Sequence, residues 1–70
     1  MTDSVTNTVY ALRSAKNLTQ EDLAGKVGVS RQTIIAIEKG NYVPSVLLAL
    51  KIAKVFKVPV GDIFKVSHEK

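Results

Sequence analysis

Thr19-Gln20-Glu21-Asp22-Leu23-Ala24-Gly25-Lys26-Val27-Gly28-Val29-Ser30-Arg31-Gln32-Thr33-Ile34-Ile35-Ala36-Ile37-Glu38-Lys39-Gly40 is the stretch whose reading decides the fold. Thr19 opens a helix. Thr19 to Asp22 has the form of a capping box, with Asp in place of the preferred Glu. Glu21 and Asp22 lie in the first turn, where the helix dipole favours acids. Leu23, Ala24 and Val27 share the inward face, and Gly28 is the stop. Gly28-Val29-Ser30 then makes a tight turn. Ser30 caps a second helix, Arg31 to about Lys39, with Ile34 and Ile37 inward and Gly40 ending it. The layout is two short helices joined by a glycine-containing turn.

Working outward, the N-terminal side predicts a helix from about Val5 to Lys16. Ser4 or Asp3 caps it, and Val5, Val9, Leu12 and Ala15 recur at helical spacing. Asn17 stands where a left-handed terminating residue is wanted, and Leu18 packs inward. On the C-terminal side, Asn41-Tyr42-Val43-Pro44 reads as a loop. Ser45 caps a helix from Val46 to Phe56, with Val46, Ala49, Leu50, Ala53 and Phe56 inward. Pro59 starts a last short helix ending near Phe64, and Val66 to Lys70 reads as a tail. Strands are not expected: only stretches such as Val58-Pro59-Val60 look extended, and proline spoils them. The expectation is an all-α, compact five-helix domain over residues 1–70, with its core at about 5–65.

A chain of 70 residues holds one domain at most, and a domain so short buries only about 60% of its unfolded surface. It contains no cysteine, so neither a disulfide nor a thiolate-bound metal can brace it. No apolar run approaches the roughly 18 residues that span a bilayer. Met1-Thr2-Asp3-Ser4 lacks the basic and apolar regions of a secretory signal. A soluble, cytoplasmic protein without membrane insertion is expected. The net charge is +4. Residues 1–38 sum to zero, with Arg13, Lys16, Lys26 and Arg31 against Asp3, Glu21, Asp22 and Glu38. The whole excess lies in residues 39–70. A basic surface favours polyanions such as nucleic acid or an acidic membrane; a merely solvated lysine-rich surface would have the same composition.

The third helix carries the informative chemistry. Stepping round from inward Ile34 and Ile37, its outward face holds Gln32, Ile35, Ala36 and Lys39, with Arg31 at the N-terminal edge. The second helix of such a pair can enter the DNA major groove with its N-terminal residues facing base edges. Arg pairs with guanine, Gln with adenine, and an apolar side chain touches a thymine methyl. Arg31, Gln32, Ile35 and Ala36 therefore form a base-reading set. Ala36 is too short for hydrogen-bond readout, and Ile35 is either a methyl contact or a partly buried packing residue.

Leu18-Thr19-Gln20-Glu21-Asp22-Leu23-Ala24, Gly28-Val29-Ser30-Arg31-Gln32-Thr33-Ile34 and Ile37-Glu38-Lys39-Gly40 together resemble the Cro/phage-repressor (XRE-type) helix-turn-helix family. Pro44-Ser45 and Lys51-Ile52-Ala53-Lys54-Val55-Phe56 continue the match, which covers about residues 5–65. The likeness is strongest to short free-standing bacterial and archaeal regulators. It implies a lambda-repressor-like fold and a role in transcription. On this sequence it implies that Gln20 holds a DNA phosphate and that Arg31, Gln32 and Ala36 face bases. It further implies that Thr33 lies near the DNA backbone, that Lys39, Asn41 and Tyr42 meet phosphates, and that Arg13 and Glu38 form an ion pair tying the first helix to the third. The plainer readings make Gln20 a helix former, Lys39 a helix-end charge, Asn41 a turn residue and Tyr42 a packing residue. Lys57 stands where the family has a helix-ending glycine, so left-handed strain is expected there.

The fourth helix has more apolar residues than one face can bury. Ile52, Val55, Val60, Ile63, Phe64 and Val66 are expected to form the contact of a symmetric homodimer; the plainer reading is that Ile63 and Phe64 close the core of the single chain. Two reading helices would then lie about 34 Å apart on a palindromic site. A repressor is expected, because so short a chain leaves little room for a sensor. Double-stranded DNA is the partner, with a protein antagonist as a further one. The alternative is an antitoxin-like or adaptor module that binds protein through the apolar C-terminal surface. An enzyme is not expected, nor a cofactor or metal. His68 has no companion ligand, and Ser30 and Ser45 are better explained as helix caps than as nucleophiles.

Overall fold

Among the described residues four take positive φ, and each ends a helix: Asn17 (57°), Gly28 (77°), Gly40 (79°) and Lys57 (59°). They close α1 (Val9–Ala15), α2 (Gln20–Val27), α3 (Arg31–Glu38) and α4 (Val46–Phe56) in a computed structural model that describes residues 2–69. After each of them the next backbone N–H turns back five residues. Leu18 donates to the Arg13 carbonyl at 3.0 Å, Val29 to Ala24 at 3.0 Å, Asn41 to Ala36 at 2.9 Å and Val58 to Ala53 at 3.2 Å. The left-handed residue makes that reversal possible, and the reversal satisfies carbonyls that the helix cannot pair. It also turns Leu18, Val29 and Val58 back onto the core.

The helix starts are equally regular. Thr19, Ser30 and Ser45 accept the N–H groups of Asp22, Thr33 and Leu48 at 2.9, 3.3 and 3.1 Å. The Thr19 N–H in turn donates to the Asp22 carboxylate at 3.0 Å, completing a capping box. That bond holds the Asp22 carboxyl below the ordinary aspartate value by stabilising its charged form.

The two ends of the chain depart from expectation. They pair as an antiparallel ribbon, β1 (Thr2–Asn7) with β2 (Phe64–Glu69), in the register Val5 opposite Val66 and Asn7 opposite Phe64. The all-α, five-helix expectation is therefore corrected to four α-helices and a two-stranded sheet. The helix expected from Val5 starts at Val9, and the last short helix shrinks to a single 3₁₀ turn at Val60–Asp62. The supposed tail from Val66 is strand as far as Glu69; Lys70 lies outside the described residues. Thr6, Asn7 and Thr8 are poor helix formers that compete with the helix for backbone hydrogen bonds. Asn7 does this directly: its Oδ1 accepts the Val9 N–H at 3.1 Å, and its Nδ2 donates to the Ile37 carbonyl at 2.9 Å. The Thr8 N–H donates to the Ile63 carbonyl at 3.0 Å, fastening the ribbon to the helices.

The core is Val9, Leu23, Ala24, Val27, Ile34, Ile37, Leu48, Ile52, Ala53, Phe56 and Ile63. In α4 the buried stripe runs through Leu48, Ile52, Ala53 and Phe56, while Val46 is 77% and Leu50 51% exposed. The expected inward set is corrected accordingly. A helix apolar on nearly every side fits a buried stripe at more than one rotation. Packing against α2 and the 3₁₀ turn chooses this one.

Lys57 holds φ 59° and ψ 41° with an ordinary side chain. Left-handed backbone costs a non-glycine residue about 1–2 kcal/mol, partly offset by the extra freedom glycine loses on folding. Lys57→Gly should therefore raise the unfolding free energy by about 0.5–1 kcal/mol in urea titration. A loss of stability would mean that the lysine side chain outweighs the turn strain.

Candidate nucleic-acid interface

Ile34 and Ile37 are fully buried and seat α3 against α2. The other side of α3 faces solvent. Arg31 and Gln32 are exposed, and Ile35 and Ala36 are half-buried. Lys39 and Asn41 beyond the helix are exposed, as is Tyr42 at 46%. These side chains line one helix and the loop that follows it. Thr33 is half-buried, and its hydroxyl lies 3.1 Å from Ser30 Oγ within the cap.

A charged network ties α1 and the start of α2 to the end of α3. Arg13 Nε donates to Glu38 Oε2 at 2.7 Å and Nη2 to Oε1 at 3.1 Å, while Nη1 donates to the Leu18 carbonyl at 2.9 Å. The two side chains retain only 12% and 7% of their exposure. Its hydrogen bond to Glu38 raises the Arg13 pKa above its ordinary value. The guanidinium also stands 5.3 Å from the Tyr10 ring centre, a cation–π distance. Gln20 joins the network, its Nε2 donating to Glu38 Oε1 at 3.1 Å. One carboxylate thus binds side chains from α1 and from the first residue of α2. Gln20 and Arg31 border a shallow depression of about 630 Å³ that also reaches Arg13, Thr19 and Glu21.

The residues expected at a contact between copies separate into three groups. Ile52 and Ile63 have no exposed surface. They are core residues of the single chain, and the expected contact is corrected to leave them out. Val55, Val60 and Phe64 are half-buried and pack on the core, while Val66 on the ribbon is 65% exposed. Val46 and Leu50, expected inward, are exposed by half or more, as are Leu47 beside them in α4 and Val43 in the loop before it. His68 pairs with Asp3 across the ribbon at 2.6 Å, in solvent. Asn7 is the positioning residue that the sequence reading missed. Its partner Ile37 lies 30 positions away, and nothing local announces it.

The sequence and the fold both have counterparts among known proteins. The helix-turn-helix family HTH_3 matches residues 9–63. This chain is a member of that XRE-type helix-turn-helix family. It is similar to an HTH-type transcriptional regulator of Methanocaldococcus jannaschii, 66% identical over 58 residues, covering 83% of this chain and 88% of the relative. A transcriptional repressor of a cryptic phage in Vibrio cholerae is 36% identical over 57 residues, covering 81% of this chain and 51% of the relative. Among solved structures, the restriction-modification controller protein C.AhdI of Aeromonas hydrophila superposes with a TM-score of 0.72 at 31% identity, covering 77% of this chain and 82% of that one. As an XRE-type protein, the chain is a DNA-binding transcriptional regulator. Among the described residues no helix is long and apolar enough to cross a membrane.

Removing one partner of a nearly buried ion pair leaves the other charge uncompensated. Glu38→Ala should therefore cost about 3 kcal/mol of stability in urea titration. Glu38→Gln, which keeps an acceptor for Arg13 and Gln20, should lose less. Equal losses would show that the acceptor kept by glutamine is worth nothing without the charge.

Proposed function

We propose that this protein is a repressor that reads a palindromic operator as a symmetric homodimer. The observation that carries the reading is the exposed face of α3 above buried Ile34 and Ile37. Arg31 pairs with guanine and Gln32 with adenine. Ile35 and Ala36 meet thymine methyl groups, so hydrogen-bond readout rests on the first two. Backbone contacts come from Gln20, Thr33, Lys39, Asn41 and Tyr42, and supply affinity that falls with salt. One amide hydrogen of Gln20 holds Glu38; the second is the one that reaches phosphate. The ion pair of Arg13 and Glu38 has a structural role. Repression is supported by the likeness to the phage repressor. Such a protein works in the cytoplasm as one domain, with no catalytic step, and a protein antagonist would control it.

Pairing of two copies is supported by the apolar side chains left in solvent. Val66 on the ribbon continues the half-exposed Val60 and Phe64, and Val46, Leu47 and Leu50 form a second apolar surface. Val55 is set aside as a contact in this reading, because the lysines around it would meet their own copies across a two-fold axis. Sedimentation should show a dimer at tens of micromolar, a range that translates to roughly 6–7 kcal/mol. Either Val66→Lys or the pair Leu47→Lys and Leu50→Lys should shift it to monomer. A wild-type monomer at that concentration would remove the free dimer from the proposal.

Selection of binding sites from random duplexes at stated salt tests the whole reading, since it reports half-site, spacing and symmetry together. Gln32→Ala should then weaken the selected site by about 1–3 kcal/mol and relax one base position. The same loss on scrambled duplex would contradict a reading role for Gln32.

A further inference from the structure

The net charge of this protein is not on its reading face. Lys16, Lys26, Lys51, Lys54 and Lys57 all border one open basin of about 830 Å³ where the C-terminal ends of α1, α2 and α4 meet. All five are exposed. The chain carries ten basic and six acidic residues, so everything outside this cluster sums to −1, from five remaining basic residues against six acids. No acidic side chain lines the basin. Among the described residues none of the five lysines forms an ion pair. Asp22, one helical turn before Lys26, has its carboxylate engaged with the Thr19 N–H. Between the lysines lie the half-buried apolar side chains of Leu18 and Val55, with Val27 of the core, 3% exposed, beneath them.

Lysines commonly sit at helix C-termini to complement the dipole. Three helix ends, however, offer only about half a negative charge each, far short of five positive charges. The cluster is therefore under mutual repulsion that an incoming anion relieves. The basin is open, and its charges are solvated rather than buried, so nothing in it would fix a small ion. A phosphate backbone would leave Leu18 and Val55 unused, and no residue of α3 lines the basin. A second copy of the chain would bring lysines against lysines.

We infer that this basin is a docking surface for an acidic, amphipathic segment of another protein. Leucine-like side chains of that segment cover Leu18 and Val55 while its carboxylates meet the lysine rim. This goes beyond operator reading and does not depend on it. The only residue shared with the depression beside Gln20 and Arg31 is Leu18. A protein docked here acts on the regulator without occupying the reading helix.

The test uses a synthetic peptide with leucine at every third or fourth position and glutamate elsewhere, titrated into the full chain under NMR. Amide shifts should concentrate at residues 16–18, 25–28 and 51–57. An all-glutamate peptide of equal length should bind several-fold more weakly, because it has nothing to place on Leu18 and Val55. Combined Lys26→Gln, Lys51→Gln and Lys54→Gln should weaken the leucine–glutamate peptide about tenfold or more, while Arg31→Gln with Lys39→Gln should change it less than about twofold, as expected when close opposite charges dominate and distant ones are screened. Shifts centred on residues 31–39, equal binding of the two peptides, or unchanged affinity in the triple lysine variant would each overturn the inference. So would a random duplex, or vesicles of phosphatidylglycerol, shifting the basin amides more strongly than the peptide does. Operator binding can succeed or fail independently of these outcomes.

Discussion

The packing of Ile34 and Ile37 into the groove of α2 is the contact on which the rest depends. The helix α3 has eight residues, and isolated helices below about 12–15 residues are marginal in water. Its helical state therefore comes from what lies under it. Two fully buried isoleucines contribute about 1.5–3 kcal/mol each in transfer terms, and they meet Leu23, Ala24 and Val27 in one core cluster. The same helical period that sends these two inward sends Arg31 and Gln32 outward. Burial and display are one geometric fact.

Packing alone leaves a short helix free to slide or rotate, and polar ties remove that freedom at both ends. At the start, Ser30 caps the first turn. At the end, Gly40 allows Asn41 to close back on Ala36, while Asn7 of β1 binds the Ile37 carbonyl. Glu38 holds Arg13 from α1 and Gln20 from α2. These bonds are directional, and those of Asn7 and Glu38 are part-buried, so they specify position more than they add net stability. The ribbon thus has a purpose in the interface that its distance in sequence conceals: through Asn7 it braces the far end of α3.

Charge is distributed differently from shape. The exposed face of α3 and its loop present few cations, chiefly Arg31 and Lys39, whereas the lysine-rimmed basin holds the positive excess. Display of hydrogen-bonding side chains and accumulation of positive charge are therefore separated in this fold: the first lies on α3 and its loop, the second where three helix ends converge.

The sequence by itself determined the local events. Caps at Thr19, Ser30 and Ser45, left-handed stops at Asn17, Gly28, Gly40 and Lys57, and the inward pairs of α2 and α3 all arise from interactions within five residues, where propensity and periodicity carry information. Tertiary structure decided what depends on distant partners. Thr2–Asn7 contains one strongly apolar residue, Val5, and becomes a strand only because Phe64–Glu69 lies beside it; no local pattern encodes a partner some sixty positions away. The rotation of α4 was open for a similar reason. A helix apolar all round has several acceptable buried stripes, and only the surfaces of α2 and the 3₁₀ turn select Leu48, Ile52, Ala53 and Phe56. That selection took Ile52 out of reach of any partner and left Val46, Leu47 and Leu50 in solvent. The lysine basin exists for the same reason: its five charges are spread over forty-two positions of chain, from Lys16 to Lys57, and converge only when three helix ends do.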